Sequence, residues 1–461
     1  MFLCKRINNM IENYSATIQN ILKKKGIAIG QRISVEKDGK KYEGVLMPRS
    51  ELGDANNIVI KLDNGYNVGL AFRGAKIAKL KQEKRVEFKH AEIKIKKDPG
   101  KKTISILHTG GTIASRVDYT TGGAIAAFNP EDIIAMFPEL GQIANIESHL
   151  IRNMWSQDMR FAHYNLIAKE IEKEIKRGVD GIIITHGTDT MYITAAALSF
   201  ILENLPIPVI LVGAQRSSDR GSSDAGMNLT CAAKFIVDSD FGEVAICMHE
   251  GMGDDSCLIL PATKTRKMHT SRRDAFRPIN TLPWARVNYL KSNIEFLKND
   301  YKKLDKKRKL NVKTIKEDLR IGVLTMHTNM YAEEFLNYKN YDGLIIQACG
   351  LGSLPTSEID EFTKEHTKIW NALEEMIKKG LVVFITPMTI YGRFNLNVYE
   401  NQRKMLQIGI LGNNCDMTTE TAFIKLAWLL SNFPKNEAKE KMEKNLRGEI
   451  SERTPFRSFL I

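Results

Sequence analysis

The chain has 461 residues, a formal net charge of +13, and 43% hydrophobic and 26% charged residues. A domain usually takes roughly 100 to 200 residues, so about three units are expected, and the composition is that of a globular chain whose longest apolar run falls short of the roughly 18 residues that cross a bilayer. Met-Phe-Leu-Cys followed at once by Lys5 and Arg6 is too short for a secretory core, so a cytoplasmic chain with no membrane association is expected, and its positive charge admits a polyanionic partner such as RNA.

Residues 8–25 carry apolar positions at helical spacing and end at Gly26, a natural C-cap. Residues 32–36 then alternate, Lys37-Asp38-Gly39-Lys40 reads as a hairpin turn, and residues 42–46 resume a strand. Residues 57–62 and the Asp63-Asn64-Gly65 turn add another hairpin, so residues 30–80 predict a small SH3-like β-barrel. A basic linker over 79–102 follows, and Asp98-Pro99-Gly100 closes it. From Thr103 short apolar strands alternate with helices, at 104–107, 181–184, 209–212 and 244–248. That pattern predicts a parallel sheet covered on both faces. A second series, at 321–325, 344–347 and 381–385, includes a helix over 357–379 that Gly380 ends. The expected organisation is therefore a helix and β-barrel over 1–98, an α/β unit over 99–285, a basic connector over 286–317 and a smaller α/β unit over 318–461.

Six scattered cysteines without a C-x-x-C pair, and nine histidines without an H-E-x-x-H motif, give metal catalysis no support. Ligands of open α/β sheets bind beyond the carboxyl ends of the strands, which directs attention to two loops. One is His108-Thr109-Gly110-Gly111-Thr112, whose paired glycines let the backbone approach a ligand while Thr112 presents a hydroxyl. An ordinary glycine turn or an anion-binding loop is the alternative reading of these residues. The other is Thr185-His186-Gly187-Thr188-Asp189, a hydroxyl beside a carboxylate. A threonine attacks at neutral pH only with a base in reach, and the chain has no G-x-S-x-G elbow. A buried lysine held by Asp189 would complete the relay, and Lys264, flanked by Pro261-Ala262-Thr263 and Thr265, is the candidate. His186 reads as a packing residue.

Together the strings around Thr112, Thr188, Asp189 and Lys264 resemble the asparaginase/glutaminase family over residues 103–461. The resemblance implies two tandem α/β units of asparaginase type, amide hydrolysis, and active sites completed across a subunit interface. It further implies Thr112 as nucleophile with Tyr119 beside it, Thr188, Asp189 and Lys264 as the activating triad, and Gly111, Ser156, Gln157 and Ala214 as substrate-binding positions.

The residues before 103 are additional to an asparaginase. Tyr42-Glu43-Gly44-Val45-Leu46-Met47-Pro48-Arg49, the stretch over 216–228 and Asp416-Met417-Thr418-Thr419-Glu420 are similar to the D subunits of archaeal glutamyl-tRNA(Gln) amidotransferases. That family implies a glutaminase that passes ammonia to an E-type subunit, which converts Glu-tRNA(Gln) to Gln-tRNA(Gln). It implies no cofactor in this chain, with ATP and magnesium used by the partner, and a homodimer inside a heterotetramer. Activating a carboxylate on tRNA needs ATP and the chain carries no G-x-x-x-x-G-K-[ST] motif, so the resemblance requires a partner for that half-reaction. A stand-alone cytoplasmic asparaginase and a non-catalytic RNA-binding or scaffold protein are the competing readings.

Overall fold

The computed structural model describes residues 10–49, 54–62, 67–80, 98–111, 113, 115–117, 124–126, 137–216 and 222–459. Thr112, Tyr119, the Asp63-Asn64-Gly65 turn and most of the 79–102 linker lie outside them.

The amino-terminal unit is a five-stranded antiparallel sheet with Asn57–Leu62, Lys40–Leu46 and Arg32–Lys37 at its centre. Lys37 pairs with Lys40 across a turn in which Asp38 and Gly39 both have positive φ, as a two-residue hairpin requires. Its core, Ile18, Leu22, Ile33, Val35, Ile58 and Ile60 among others, is separate from those of the remaining chain. The helix expected over 8–25 is divided: a 3-10 turn at Met10–Asn13 is followed by an α-helix at Ala16–Lys24. Ser15 between them is extended, and Tyr14 leaves the helical register to donate its hydroxyl to the Met47 carbonyl at 2.6 Å.

The second unit is built on an eight-stranded sheet in the order Asn293–Phe296, Ala285–Asn288, Ser256–Pro261, Val244–His249, Val209–Val212, Gly181–Thr185, Thr103–His108, Asn145–Leu150. The last five are parallel and the first three continue antiparallel. Strand residues alternate between two cores. Leu107, Ile182, Ile184, Leu211 and Ile246 face one, while Ile106, Ile183, Ile210, Val212 and Ala245 face the other. This period of two, apolar on both faces, is why these strands read as continuous hydrophobic runs. Residues 286–296, expected to begin a connector, lie largely in two strands of this sheet, Ala285–Asn288 and Asn293–Phe296. Ala285 and Val287 turn inward, and Arg286 grips Glu250 and Glu295.

The third unit has a three-stranded parallel sheet, Ile321–Thr325, Gly343–Ala348 and Val382–Pro387. The helix expected over 357–379 begins only at Lys364, because the Thr363 hydroxyl accepts the N–H groups of Ile359 and Asp360 and holds that stretch as a loop. Helix Thr419–Asn432 joins the two α/β units. Trp428 packs on Phe200 of helix Met191–Ile201 with ring centroids 5.6 Å apart, and both helices contribute to one core. A helix pressed between a sheet and another helix has no polar face to keep, which accounts for the uniform apolarity of Met191–Ile201. Among the described residues no helix is long and apolar enough to cross a membrane.

Candidate active site

Four neighbouring parallel strands send their carboxyl ends into one cluster of loops, and glycine lets those loops touch. Gly111 has φ +85, and a β-carbon there would come within 2.5 Å of the Gly187 Cα. A β-carbon on Gly187 would come within 2.8 Å of the Ser156 Cβ, and one on Gly213 within 2.7 Å of the Thr188 Cγ2. The loops after Thr103–His108, Asn145–Leu150, Gly181–Thr185 and Val209–Val212 are thus in contact through backbone that admits no side chain. Of the sequence-derived positions, this brings Gly111, Ser156, Thr188 and, next to Gly213, Ala214 together. Gln157 follows Ser156 in the 3-10 turn Ser156–Asp158 and is exposed. The Thr190 hydroxyl donates to the Ser156 carbonyl at 2.6 Å and ties that turn to the 186–190 loop.

Thr188 is 7% exposed, whereas the Asp189 side chain is 68% exposed. The lysine between them is Lys267. Its Nζ lies 2.9 Å from the Thr188 Oγ1 and 2.6 Å from the Asp189 Oδ1, and its side chain is 9% exposed. Lys264 is elsewhere: its Nζ donates to the Asp416 Oδ2 at 2.8 Å, with both side chains buried. The assignment of Lys264 to the triad is therefore corrected to Lys267. Lys264 follows strand Ser256–Pro261, which ends opposite Ala245 near the amino ends of the parallel strands. The chain then turns back in the hairpin Thr265–Lys267 with Phe276–Pro278, and three extended residues, about 10 Å, separate the two lysines.

His186 is fully buried, with Nδ1 2.7 Å from the Gly187 carbonyl and Nε2 2.9 Å from the Thr194 Oγ1. Desolvation pushes it down to about 4, so it is neutral at pH 7 and anchors the loop. His108 is held between Thr185 and Ser148 at 2.7 and 2.6 Å, and burial likewise pushes it down to about 4.

Sequence reasoning missed the support of the 213–216 loop. The buried Asp224 carboxylate accepts the N–H groups of Gln215 and Arg216 at about 3.0 Å. Asn228, one helical turn on, donates to the Gly213 carbonyl at 3.0 Å and accepts from His249 Nδ1 at 2.6 Å. The signal was an Asp and Asn at i, i+4 opening helix Ala225–Asp238, one face of which points back at the preceding loop. A group elsewhere with metal-ligating side chains, Glu147, His149 and Glu174, already holds the Arg177 guanidinium, with N–O distances of 2.6 to 2.9 Å to the two glutamates.

A hydroxyl and a carboxylate on one loop, bridged by a lysine from a separate hairpin and set at the carboxyl ends of a parallel sheet, define an asparaginase-type amidohydrolase centre. Solved structures with this fold include the thermostable L-asparaginase from Thermococcus kodakarensis (26% identity, 76% of this chain and 99% of that one, TM-score 0.63) and L-asparaginase I from Vibrio cholerae (28%, 76% and 99%, 0.65). The family models for the asparaginase N-terminal domain, the glutaminase/asparaginase C-terminal domain and the GatD N-terminal domain match residues 103–301, 320–442 and 27–80. Among curated relatives, the D subunit of the glutamyl-tRNA(Gln) amidotransferase of Pyrococcus furiosus is 44% identical, covering 96% of this chain and 100% of its own, and its counterpart from Methanopyrus kandleri is 37% identical over 96% and 95%. The chain belongs to the family of glutamyl-tRNA(Gln) amidotransferase D subunits within the asparaginases.

Proposed function

We propose that this chain is the glutaminase of an ATP-dependent amidotransferase that converts Glu-tRNA(Gln) to Gln-tRNA(Gln). It releases ammonia from glutamine, with asparagine as the other amide the site accommodates, and passes the ammonia to an E-type subunit. The observation that carries this reading is the Lys267 Nζ wedged between Thr188 and Asp189, in a chain that matches D subunits over 96% of its length. Thr112 attacks the carboxamide carbon. The proton of the attacking hydroxyl passes through Thr188 to the Lys267 Nζ, and Asp189 stabilises the ammonium that forms, as the aspartate of a serine protease triad stabilises its imidazolium. N–H groups of the glycine-rich 109–111 loop are suited to the developing oxyanion, and Tyr119 has the role of supporting Thr112. The C–N bond breaks and ammonia departs with that proton. Water then hydrolyses the threonine ester to glutamate and restores the hydroxyl. Gly111, Ser156, Gln157 and Ala214 hold the substrate.

Because nucleophile and base are side chains, this half-reaction needs no cofactor in this chain, while ATP and magnesium serve carboxylate activation in the partner. We place the chain as a homodimer within a heterotetramer, in the cytoplasm where its aminoacyl-tRNA is used. A stand-alone asparaginase is the second reading, and the asparaginase structures support it over about three quarters of the chain. The GatD-type match at 27–80, absent from a plain asparaginase, favours the first. The discriminating measurement is Gln-tRNA formation by the purified chain with its co-purifying partner, Glu-tRNA(Gln), ATP and glutamine. Amidation is expected. Hydrolysis of free glutamine with no amidation by an intact complex would leave only the asparaginase reading.

A further inference from the structure

The strand that delivers Lys267 pairs with Phe276–Pro278 and is fastened on its other side to the third unit. Lys264 donates to Asp416 at 2.8 Å, and the Thr421 hydroxyl donates to the Thr263 carbonyl at 2.8 Å. The Thr263 hydroxyl donates to the Arg447 carbonyl at 3.1 Å, and Arg266 pairs with Glu420 at 3.2 Å. Thr263, Lys264 and Arg266, all within four residues of Lys267, thus each hold a group of the carboxyl-terminal unit. Asp416 is itself fixed: its Oδ1 accepts the Ser451 N–H at 3.0 Å, and Asn280 donates to its carbonyl at 3.1 Å. A buried ion pair is weak evidence for stability, since an apolar pair of similar volume often serves as well. What such a pair sets well is register. A reacting base must be placed to within a fraction of an ångström, and an extended strand displaced along its length carries every side chain with it.

We propose that the buried Lys264–Asp416 ion pair, together with the Thr421–Thr263 hydrogen bond, is the positioning device that sets Lys267 against Thr188 and Asp189. The carboxyl-terminal unit thereby governs the proton relay. This rests on the reading of Lys267 as the base. Burial lowers the Lys264 ammonium from its usual range and Asp416 opposes that, so removing Asp416 alone would strand a buried cation. The two groups are therefore replaced together.

The test uses the full chain with its partner and compares the wild type with Lys264→Met/Asp416→Asn, Thr421→Val and Lys267→Met. Methionine fills the lysine stem, and asparagine keeps the Oδ1 that receives Ser451. Glutaminase kcat and KM, and the split between them, are the readouts. The double variant is expected to lose about 10- to 100-fold in kcat with KM within about twofold, because the substrate-binding loops lie on other strands. Thr421→Val should lower kcat by less, again with KM held within about twofold. A folded double variant with wild-type kcat, or one whose loss lies in KM alone, overturns the proposal. If the double variant fails to fold, an unchanged kcat in Thr421→Val overturns it. If Lys267→Met hydrolyses glutamine like the wild type, the base assignment itself falls. Loss in Lys267→Met with no effect in the other two removes only the positioning role.

Discussion

Lys267 is the only cation that the described structure places against both Thr188 and Asp189, and its chemistry follows from that placement. Replacing it by methionine keeps most of the stem and removes the base, so kcat/KM for glutamine should fall by at least about 10³ with the fold intact. Steady-state kinetics with circular dichroism checks this, and a loss below tenfold would contradict the relay. The threonine and the carboxylate of this site were legible because both sit on one loop after a strongly apolar strand. The lysine was not. Lys264 and Lys267 share the run Lys264-Thr265-Arg266-Lys267, and small apolar neighbours favour Lys264 as the buried group. Lys264 is indeed buried, but Asp416, 152 residues away, is the carboxylate that holds it, and nothing local encodes that pairing.

Loops form the site by touching through glycine, so their tolerance to a methyl group is a direct probe of the element scale. Gly187→Ala would drive a carbon to within 2.9 Å of the Ser156 Oγ, displacing the 156–158 turn, and should raise KM for glutamine about tenfold with a smaller effect on kcat. An unchanged KM would remove Ser156 and Gln157 from the binding surface. The same loops carry two buried neutral histidines. His108 and His186 are pushed from 6.5 down to about 4, so between those values the unfolded chain binds protons that the native chain refuses. Their contribution is complete above about pH 6.5 and is lost as pH falls toward 4, by about 2 kcal/mol each at pH 5. The urea midpoint should therefore drop between pH 7 and pH 5, and His186→Gln should reduce the drop; equal midpoints would show that neither histidine is held neutral. Elements were legible where one local rule acted alone, as in the Asp38-Gly39 hairpin and the strands apolar on both faces. Boundaries were lost where a side chain bonded backbone out of turn, as Thr363 does ahead of Lys364 and Tyr14 does at Met47.

At the scale of the molecule, the amino-terminal sheet has its own core while the two α/β units share one through Trp428 and Phe200. Removal of residues 1–95 should therefore leave free glutamine hydrolysis within about twofold of the full chain and weaken coupling to the E-type partner. Equal losses of glutamine hydrolysis and tRNA amidation would contradict that division. The central claim is that Thr112, Thr188, Asp189 and Lys267 serve only to liberate ammonia. It is tested most directly by measuring Gln-tRNA(Gln) formation in the partner complex, with glutamine and with a high concentration of ammonium salt, for the wild type, Thr112→Ala and Lys267→Met. Both variants should lose glutamine-dependent amidation by about 10³ or more and keep ammonium-dependent amidation close to wild type. Failure of ammonium to rescue a folded, partner-bound variant would mean that these residues take part in the tRNA half-reaction, and would contradict the account.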